Sequence, residues 1–247
     1  MLMANTETGH AKNVANFEDL ISFCTGYGSS YNPAKDPIKL QALIALHTEA
    51  ENKMAEVNAA QTPWANAVAA REILFEPLST FITRVVNALA ASDVPAQVVD
   101  NAKTIARKIQ GRRATPKNAP PPPDPAVPEE ETAKNISASQ MGFDNRIDNM
   151  DKLVQLLSAQ PGYAPNETDL TTAALTTLHA NMKTANTAVI NAYTALSNAR
   201  VARDKTLYQL KTGLVDISVD VKKYVISVFG TTSPQYKQLS ALKFTRP

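Results

Sequence analysis

Apolar residues recur at every third or fourth position along the stretch from Thr168 to Tyr208. This spacing predicts an amphipathic helix whose apolar side chains form a coiled-coil-like seam. No proline or glycine interrupts the stretch, so we expect one long helix of ~40 residues and ~60 Å. The seam consists of Leu175, Leu178, Met182, Ala185, Val189, Ala192, Leu196 and Ala199.

Two shorter helices are predicted after this stretch. Gly213 is a plausible stop signal for the long helix, and an apolar face then runs from Leu214 to Val228 and ends at Gly230. Ser233 followed by Pro234 is typical of a helix N-cap with proline at the first helical position. We therefore expect a last short helix from this pair through about Leu242.

The first half of the chain predicts the same order of elements. A short helix near Val14 to Cys24 is followed by a loop and by a long helix from about Asp36 to Phe75. Pro63 should kink that helix or divide it, because proline lacks the amide hydrogen. Pro77 marks the next break, and Pro95 opens the final helix of this half.

The two halves also match residue by residue. With an offset of 132, thirteen of the 41 positions from Tyr31 to Arg71 are identical to those from Tyr163 to Arg203. The offset grows to 139 near the ends of the halves, so the second half carries seven extra residues, or two helical turns. The identities include Tyr31/Tyr163, Pro33/Pro165, Leu43/Leu175, Leu46/Leu178, His47/His179, Val57/Val189, Asn66/Asn198 and Arg71/Arg203.

Composition agrees with helices. Apolar residues make up 44% of the chain and aromatic residues only 6%, and glycine is scarce, which favours helix over sheet. We expect an all-α fold with two tandemly duplicated four-helix modules, each with one long helix. The alternative places a hairpin turn near residues 60–64 and 192–196; the long helices are favoured because residues 192–196 include no turn residue.

A proline-rich linker separates the predicted modules. The segment Ala119 to Pro128 contains most of its prolines, and such segments form extended polyproline II. The predicted domains are residues 1–110, the linker 111–140 and residues 141–247. The linker is interpreted as a spacer; the alternative is a ligand for a proline-reading groove.

Charge and targeting signals give no global indication of a partner. The net charge is only +2 and Cys24 is the single cysteine, which excludes an internal disulfide and fits a reducing compartment. The N-terminal residues lack the apolar core of a secretory signal, and no apolar run approaches the ~20 residues of a membrane helix. We expect a cytoplasmic protein without membrane contact.

The matching histidines, His47 and His179, are weak candidates for metal ligands beside the seam. Bundles with two iron ions use Glu-x-x-His, but Ile44 and Thr176 occupy the glutamate positions. We therefore expect structural histidines and no metal or other cofactor.

The matching arginines, Arg71 and Arg203, fall on the apolar seam, and each is followed by an acid. A buried guanidinium must be paired, so a structural role is favoured over an anion or carboxylate clamp. Tyr31 and Tyr163 are predicted to anchor their loops through hydroxyl bonds to the backbone.

A basic run is the candidate for nucleic-acid binding. Its six cations could contact phosphates, but no aromatic residue is interleaved for stacking on bases, so a solvated helix end is favoured. The run consists of Lys103, Arg107, Lys108, Arg112, Arg113 and Lys117.

No catalytic residue is predicted. The sequence contains no P-loop, no dinucleotide fingerprint and no cysteine pair for zinc. His10 is assigned to the N-terminal tail, and Cys24 matches Leu157, which indicates packing.

The segment Lys222 to Gln238 resembles one in uncharacterised tandem helical-bundle proteins of Bacteroidota. The resemblance implies a bacterial protein and transfers no functional residue. By elimination we expect a non-enzymatic structural or protein-interaction bundle that binds a protein partner or itself. A ligand- or metal-binding bundle with a pocket between helices is the alternative, and nucleic-acid binding is the third.

Overall fold

The chain is helical in the part that the structure, a computed structural model, describes: residues 7–111 and 142–246. This part contains no β-strand, so the all-α prediction is confirmed. The helices are α1 (Glu7–Gly26), α2 (Leu40–Phe75), α3 (Leu78–Ala90), α4 (Ala96–Gln110), α5 (Phe143–Ser158), α6 (Thr172–Tyr208), α7 (Leu214–Phe229) and α8 (Pro234–Ala241). The predicted linker falls almost wholly on residues outside this description.

Both long helices are continuous, as the apolar seam predicts. The alternative with turns near residues 60–64 and 192–196 is wrong, because α2 and α6 run through both positions. The predicted division of α2 at Pro63 is also wrong. Pro63 is exposed within α2. Because the proline lies on the solvent-facing side of the helix, its ring and its missing amide hydrogen do not disturb the core.

Each long helix begins slightly later than predicted. Asp36–Ile38 and Thr168–Leu170 form separate 3-10 turns. The residues that follow them, Lys39 and Thr171, have extended backbone with ψ angles of 145° and 151°. Extended backbone cannot continue a helix, so each α-helix starts after it.

Local sequence accounts for the ends of the shorter helices. The Ser233 hydroxyl accepts a hydrogen bond from the Tyr236 amide at 3.1 Å, with Pro234 at the first helical position, which confirms the predicted cap. Gly111 and Gly230 follow α4 and α7 with φ angles of 69° and 84°. These positive angles are accessible to glycine at little cost.

The helices form two compact units. Unit 1 comprises Met1–Ala65 and Asn191–Pro247, and unit 2 comprises Asn66–Ile190. Each unit therefore takes helices from both halves of the chain. Each unit combines residues of the predicted first module, 1–110, with residues of the predicted second module, 141–247, and the duplication itself stays a prediction.

The core of unit 1 is formed by α1, α7, α8 and the parts of α2 and α6 that belong to this unit. Burying a leucine, isoleucine or phenylalanine side chain contributes roughly 2 kcal/mol, so this apolar set is the main source of stability in unit 1. Fully buried members include Phe17, Leu20, Leu43, Leu207, Leu214, Val221 and Leu239.

The core of unit 2 is formed by α3, α4, α5 and the remaining parts of α2 and α6. It uses the same kinds of apolar side chain, again from both halves of the chain. Fully buried members include Ile82, Leu89, Ile109, Met150, Leu153, Leu175 and Met182.

The stretch Leu40–Ala90, which covers α2 and α3, contains a window of 18 residues with a mean hydropathy of 1.3. By length and composition such a stretch can cross a membrane, but the core helix of a soluble protein passes the same test. About a third of the window, 33%, is buried within the chain. The expectation of no membrane contact therefore stays a prediction.

We predict that residues 1–111 and 142–247, produced as two separate polypeptides, assemble into a 1:1 complex with cooperative thermal unfolding. Each core takes side chains from both polypeptides, so neither one alone buries enough apolar surface to fold. Size-exclusion chromatography with circular dichroism measures the outcome against the intact chain. Native helicity and cooperative unfolding of either polypeptide by itself would contradict the prediction.

Candidate functional site

The two candidate histidines belong to different units and each lies beside one carboxylate. His47 Nδ1 is 3.5 Å from Glu51 Oε2, and His179 Nδ1 is 3.8 Å from Asp151 Oδ1. The His47 side chain is 13% exposed, and its buried Nε2 has no hydrogen-bond partner among the described residues. No group of three or more potential metal ligands occurs in that part of the chain.

Arg71, in unit 2, joins a relay of polar side chains. Its Nη1 donates to Asn186 Oδ1 at 2.8 Å, and Asn186 Nδ2 donates to Asp144 Oδ1 at 2.8 Å. Its guanidinium also lies over the Phe143 ring, 3.7 Å from the ring centroid. The relay links α2, α5 and α6, as expected for a structural arginine.

Arg203, in unit 1, is almost fully buried, with 3% of its surface exposed. It pairs with the acid that follows it: Nε and Nη2 lie 3.0 and 2.9 Å from Asp204 Oδ1. The Asp204 side chain is 47% exposed, so the buried guanidinium pairs with a carboxylate that solvent reaches. The equivalent arginine therefore finds a different partner in each unit.

The two loop tyrosines confirm the predicted anchoring. The Tyr31 hydroxyl donates to the Ile38 carbonyl at 2.6 Å, and the Tyr163 hydroxyl donates to the Leu170 carbonyl at 2.7 Å. Both rings are buried, and burial raises the pKa of both phenols above the usual range. Each hydroxyl therefore remains a neutral donor that holds its loop against the following 3-10 turn.

The described half of the basic run lies on α4 in unit 2. Lys103 and Arg107 line a groove of about 200 Å³ together with Thr83, Asn87 and Gln110. Lys103 is paired with a neighbouring acid on α4, at 3.1 Å. Arg112, Arg113 and Lys117 lie outside the described residues.

Cys24 is a packing residue in unit 1. It is 1% exposed within the core of that unit. Burial raises the pKa of its thiol to about 12, against a smaller lowering by a hydrogen bond with Tyr31. The thiolate is the nucleophilic form of cysteine, so this protonated thiol is unsuited to nucleophilic catalysis near neutral pH.

The assignment of His10 to the N-terminal tail is wrong. His10 lies on α1 and is 2% exposed, with Nδ1 at 2.6 Å from the Tyr208 hydroxyl. Asn13 is 1% exposed and donates through Nδ2 to the same hydroxyl at 3.2 Å. His10 lies seven residues before Phe17, and Asn13 lies seven residues before Leu20. Because both Phe17 and Leu20 are core residues, this heptad spacing is a signal that sequence reasoning missed.

Asn13 and Asn16 bind the backbone of residues 242–246, an extended segment that follows α8. Asn13 Nδ2 donates to the Thr245 carbonyl at 2.7 Å, and Asn13 Oδ1 accepts from the Thr245 amide at 3.0 Å. Asn16 Nδ2 donates to the Lys243 carbonyl at 2.6 Å. One helix face thus binds peptide groups at alternate residues of this segment.

The side chains of the same segment also have defined partners. The Phe244 ring lies edge-on to Phe17, 6.5 Å between centroids, and 5.1 Å from the ammonium of Lys222. Arg246 donates to the Tyr208 carbonyl at 2.7 Å and pairs with Asp216 at 2.6 Å. We call the surface formed by Asn13, Asn16, Phe17, Asp216 and Lys222 the α1–α7 groove.

The groove contains one carboxylate, Asp216, and one ammonium group, Lys222. The pKa of Asp216 is lowered by a hydrogen bond from the Lys211 amide and then by Arg246, so the carboxylate is ionised at neutral pH. The pKa of Lys222 is lowered by burial and by the nearby Lys243, while its ammonium donates to the Leu242 carbonyl at 2.6 Å.

We predict that Arg71→Ala and Arg203→Ala each lower the free energy of unfolding by about 2 kcal/mol. Loss of a hydrogen bond to a buried or charged group costs roughly 1–3 kcal/mol, and Arg71→Ala leaves the buried Asn186 without its donor. Urea denaturation measures the effect. Arg84→Ala is the control, because its exposed pair with Asp169 should contribute less than about 1 kcal/mol. If Arg71→Ala and Arg203→Ala are as stable as Arg84→Ala, the structural role of the two arginines is refuted.

The candidate sites thus differ in kind. The arginines and tyrosines hold the chain's own elements together, whereas the α1–α7 groove recognises an extended backbone segment. No protein-family model, no curated protein and no solved structure matches the chain. Function is therefore inferred from side chains and their geometry.

Proposed function

We propose that this protein is a non-enzymatic interaction protein built by internal duplication. The duplication is supported by equivalent positions that take the same role: Tyr31 and Tyr163 each bond the carbonyl seven residues later. Leu43 and Leu175, also equivalent, are both fully buried. A shared ancestor for the halves explains why the same local contacts recur in both units.

The observation that carries the proposal is that polar side chains bind backbone groups from distant parts of the chain. In unit 2, Arg146 donates to the carbonyls of Ile109 and Phe75, at 3.1 and 3.3 Å. In unit 1, Asn13 bonds the Thr245 backbone. In both cases a side chain from one half of the chain fixes backbone from the other half, which serves assembly rather than a reaction.

Exposed apolar side chains supply the contact surface. In unit 1, Tyr193 and Val201 on α6 are 48% and 66% exposed. They lie two turns apart on one helix face, and Trp64 packs beside Tyr193 with the ring centroids 6.4 Å apart. Aromatic side chains of this kind are enriched at protein interfaces. This face of α6 is the proposed contact for a protein partner or a second copy.

A photo-crosslinking amino acid at position 193 or 201 tests the proposal in the native cell. We expect covalent adducts with a protein at both positions, because an interface brings partner side chains within reach of the probe. The same probe at Thr48, an exposed polar position of unit 1, is the control. Adducts no more abundant than at Thr48 would contradict the proposed interface.

Nucleic-acid binding is a second candidate, favoured by the groove that Lys103 and Arg107 share. If it is correct, gel retardation of duplex DNA or RNA should weaken steeply with salt, because binding then depends on phosphate contacts. Neutralising Arg112 and Arg113 should abolish it. A complex that forms equally well without these two cations would count against the basic run as the binding site.

A further inference from the structure

We infer that the α1–α7 groove is a binding site for an extended peptide with a phenylalanine followed two residues later by an arginine. Its resident occupant is the chain's own segment 242–246, and a partner protein with the same pattern takes its place. This binding site goes beyond the exposed face of α6 proposed above. It is argued from contacts inside unit 1 alone.

The first argument is recognition of the backbone itself. Asn13 satisfies both the amide and the carbonyl of Thr245, and Asn16 takes the carbonyl two residues earlier. These bonds require an extended chain but no particular side chain at positions 243 and 245. With the segment in place, Asn13 is 1% exposed, so its amide group is covered by the peptide that it binds. An extended peptide supplied in trans can form the same hydrogen bonds to Asn13 and Asn16.

The second argument is recognition of two side chains at fixed spacing. The ring of Phe244 lies against Phe17 and the Lys222 ammonium. Arg246 reaches the Asp216 carboxylate and the Tyr208 carbonyl. An aromatic ring and a guanidinium are the groups that these partners bind most strongly. The groove thus selects a Phe-x-Arg pattern.

The third argument is the contrast with unit 2, and it rests on the proposed duplication. There α4 remains helical to Gln110 and packs against α5, past Arg107, which corresponds to Arg246. In unit 1, α8 ends at Ala241 and the chain becomes extended. The groove therefore holds a short non-helical segment where unit 2 has two turns of helix.

The resident segment can leave without unfolding a helix. Residues 242–246 form no helix, and hydrogen bonds from Asn13, Asn16 and Lys222 side chains hold their backbone. A peptide added in trans competes with a tethered occupant, so its apparent affinity is reduced by the fraction of time that the groove is occupied. Weakening the resident segment should uncover the site.

The test uses the full chain with Phe244→Ala and Arg246→Ala, and the fluorescently labelled peptide Leu-Lys-Phe-Thr-Arg. We expect saturable binding by fluorescence anisotropy, at least roughly 10-fold tighter than to the unaltered chain. Peptides with alanine for phenylalanine or for arginine should lose most of this affinity. Adding Asn13→Ala to the double variant should abolish binding, whereas Asn101→Ala, at an exposed position of unit 2, should leave it unchanged.

A double variant that unfolds cooperatively but does not bind the peptide overturns the inference. Native mass spectrometry can instead show a dimer in which residues 242–246 of each copy occupy the groove of the other copy. If the peptide acts only by dissociating such a dimer, the groove binds a second copy, and the inference of a partner protein is overturned. Loss of crosslinks at positions 193 and 201 would leave peptide binding intact, so the two proposals fail separately.

Hydrogen exchange of the unaltered chain provides a second measurement should the double variant fail to fold. The Thr245 amide donates a hydrogen bond to Asn13 Oδ1. We expect this amide to exchange faster than the amides in the middle of α1. Excess unlabelled peptide should accelerate exchange throughout residues 243–246 by holding the segment out. If these amides exchange only at the rate of global unfolding, the segment does not leave the groove in the folded protein, and the inference is overturned.

Discussion

Burial along the two long helices is the constraint on which the rest of the structure depends. Leu43, near the start of α2, is buried in the core of unit 1, while Phe75, at its end, is buried in the core of unit 2. On α6 the order is reversed, with Leu175 in unit 2 and Leu207 in unit 1. Because both helices are continuous, each unit must complete its core with helices from the other half of the chain.

This constraint explains the role of the polar side chains that bind backbone from distant parts of the chain. Association of segments that are far apart in sequence costs chain entropy, so contacts that fix one preferred pairing are needed in addition to apolar burial. Arg146 and Asn13 supply such contacts, since each bonds backbone that lies in the other half of the sequence.

Sequence alone predicted the helices and the local anchors, because these depend on neighbours within a few residues. The seam from Leu175 to Ala199, the Ser233 cap and the Tyr31 hydroxyl bond are of this kind. The exchange of helices between halves could not be predicted, since apolar periodicity marks which face is buried but not which helix covers it. His10 was misassigned for a related reason: its partner, Tyr208, lies almost the whole chain away.

The groove accompanies a difference between the last helices of the two halves of the chain. In the first half α4 has 15 residues, whereas α8 in the second half has 8. In unit 2 the longer helix covers α5 with apolar side chains such as Ala106 and Ile109. In unit 1 residues 242–246 follow the shorter helix without forming one, and Asn13 and Asn16 bind their backbone in addition to the apolar contact between Phe244 and Phe17. Hydrogen bonds to peptide groups do not depend on the identity of the side chains that the peptide carries, whereas the apolar contacts of a helix do. The peptide binding proposed for unit 1 depends on this difference between the two units.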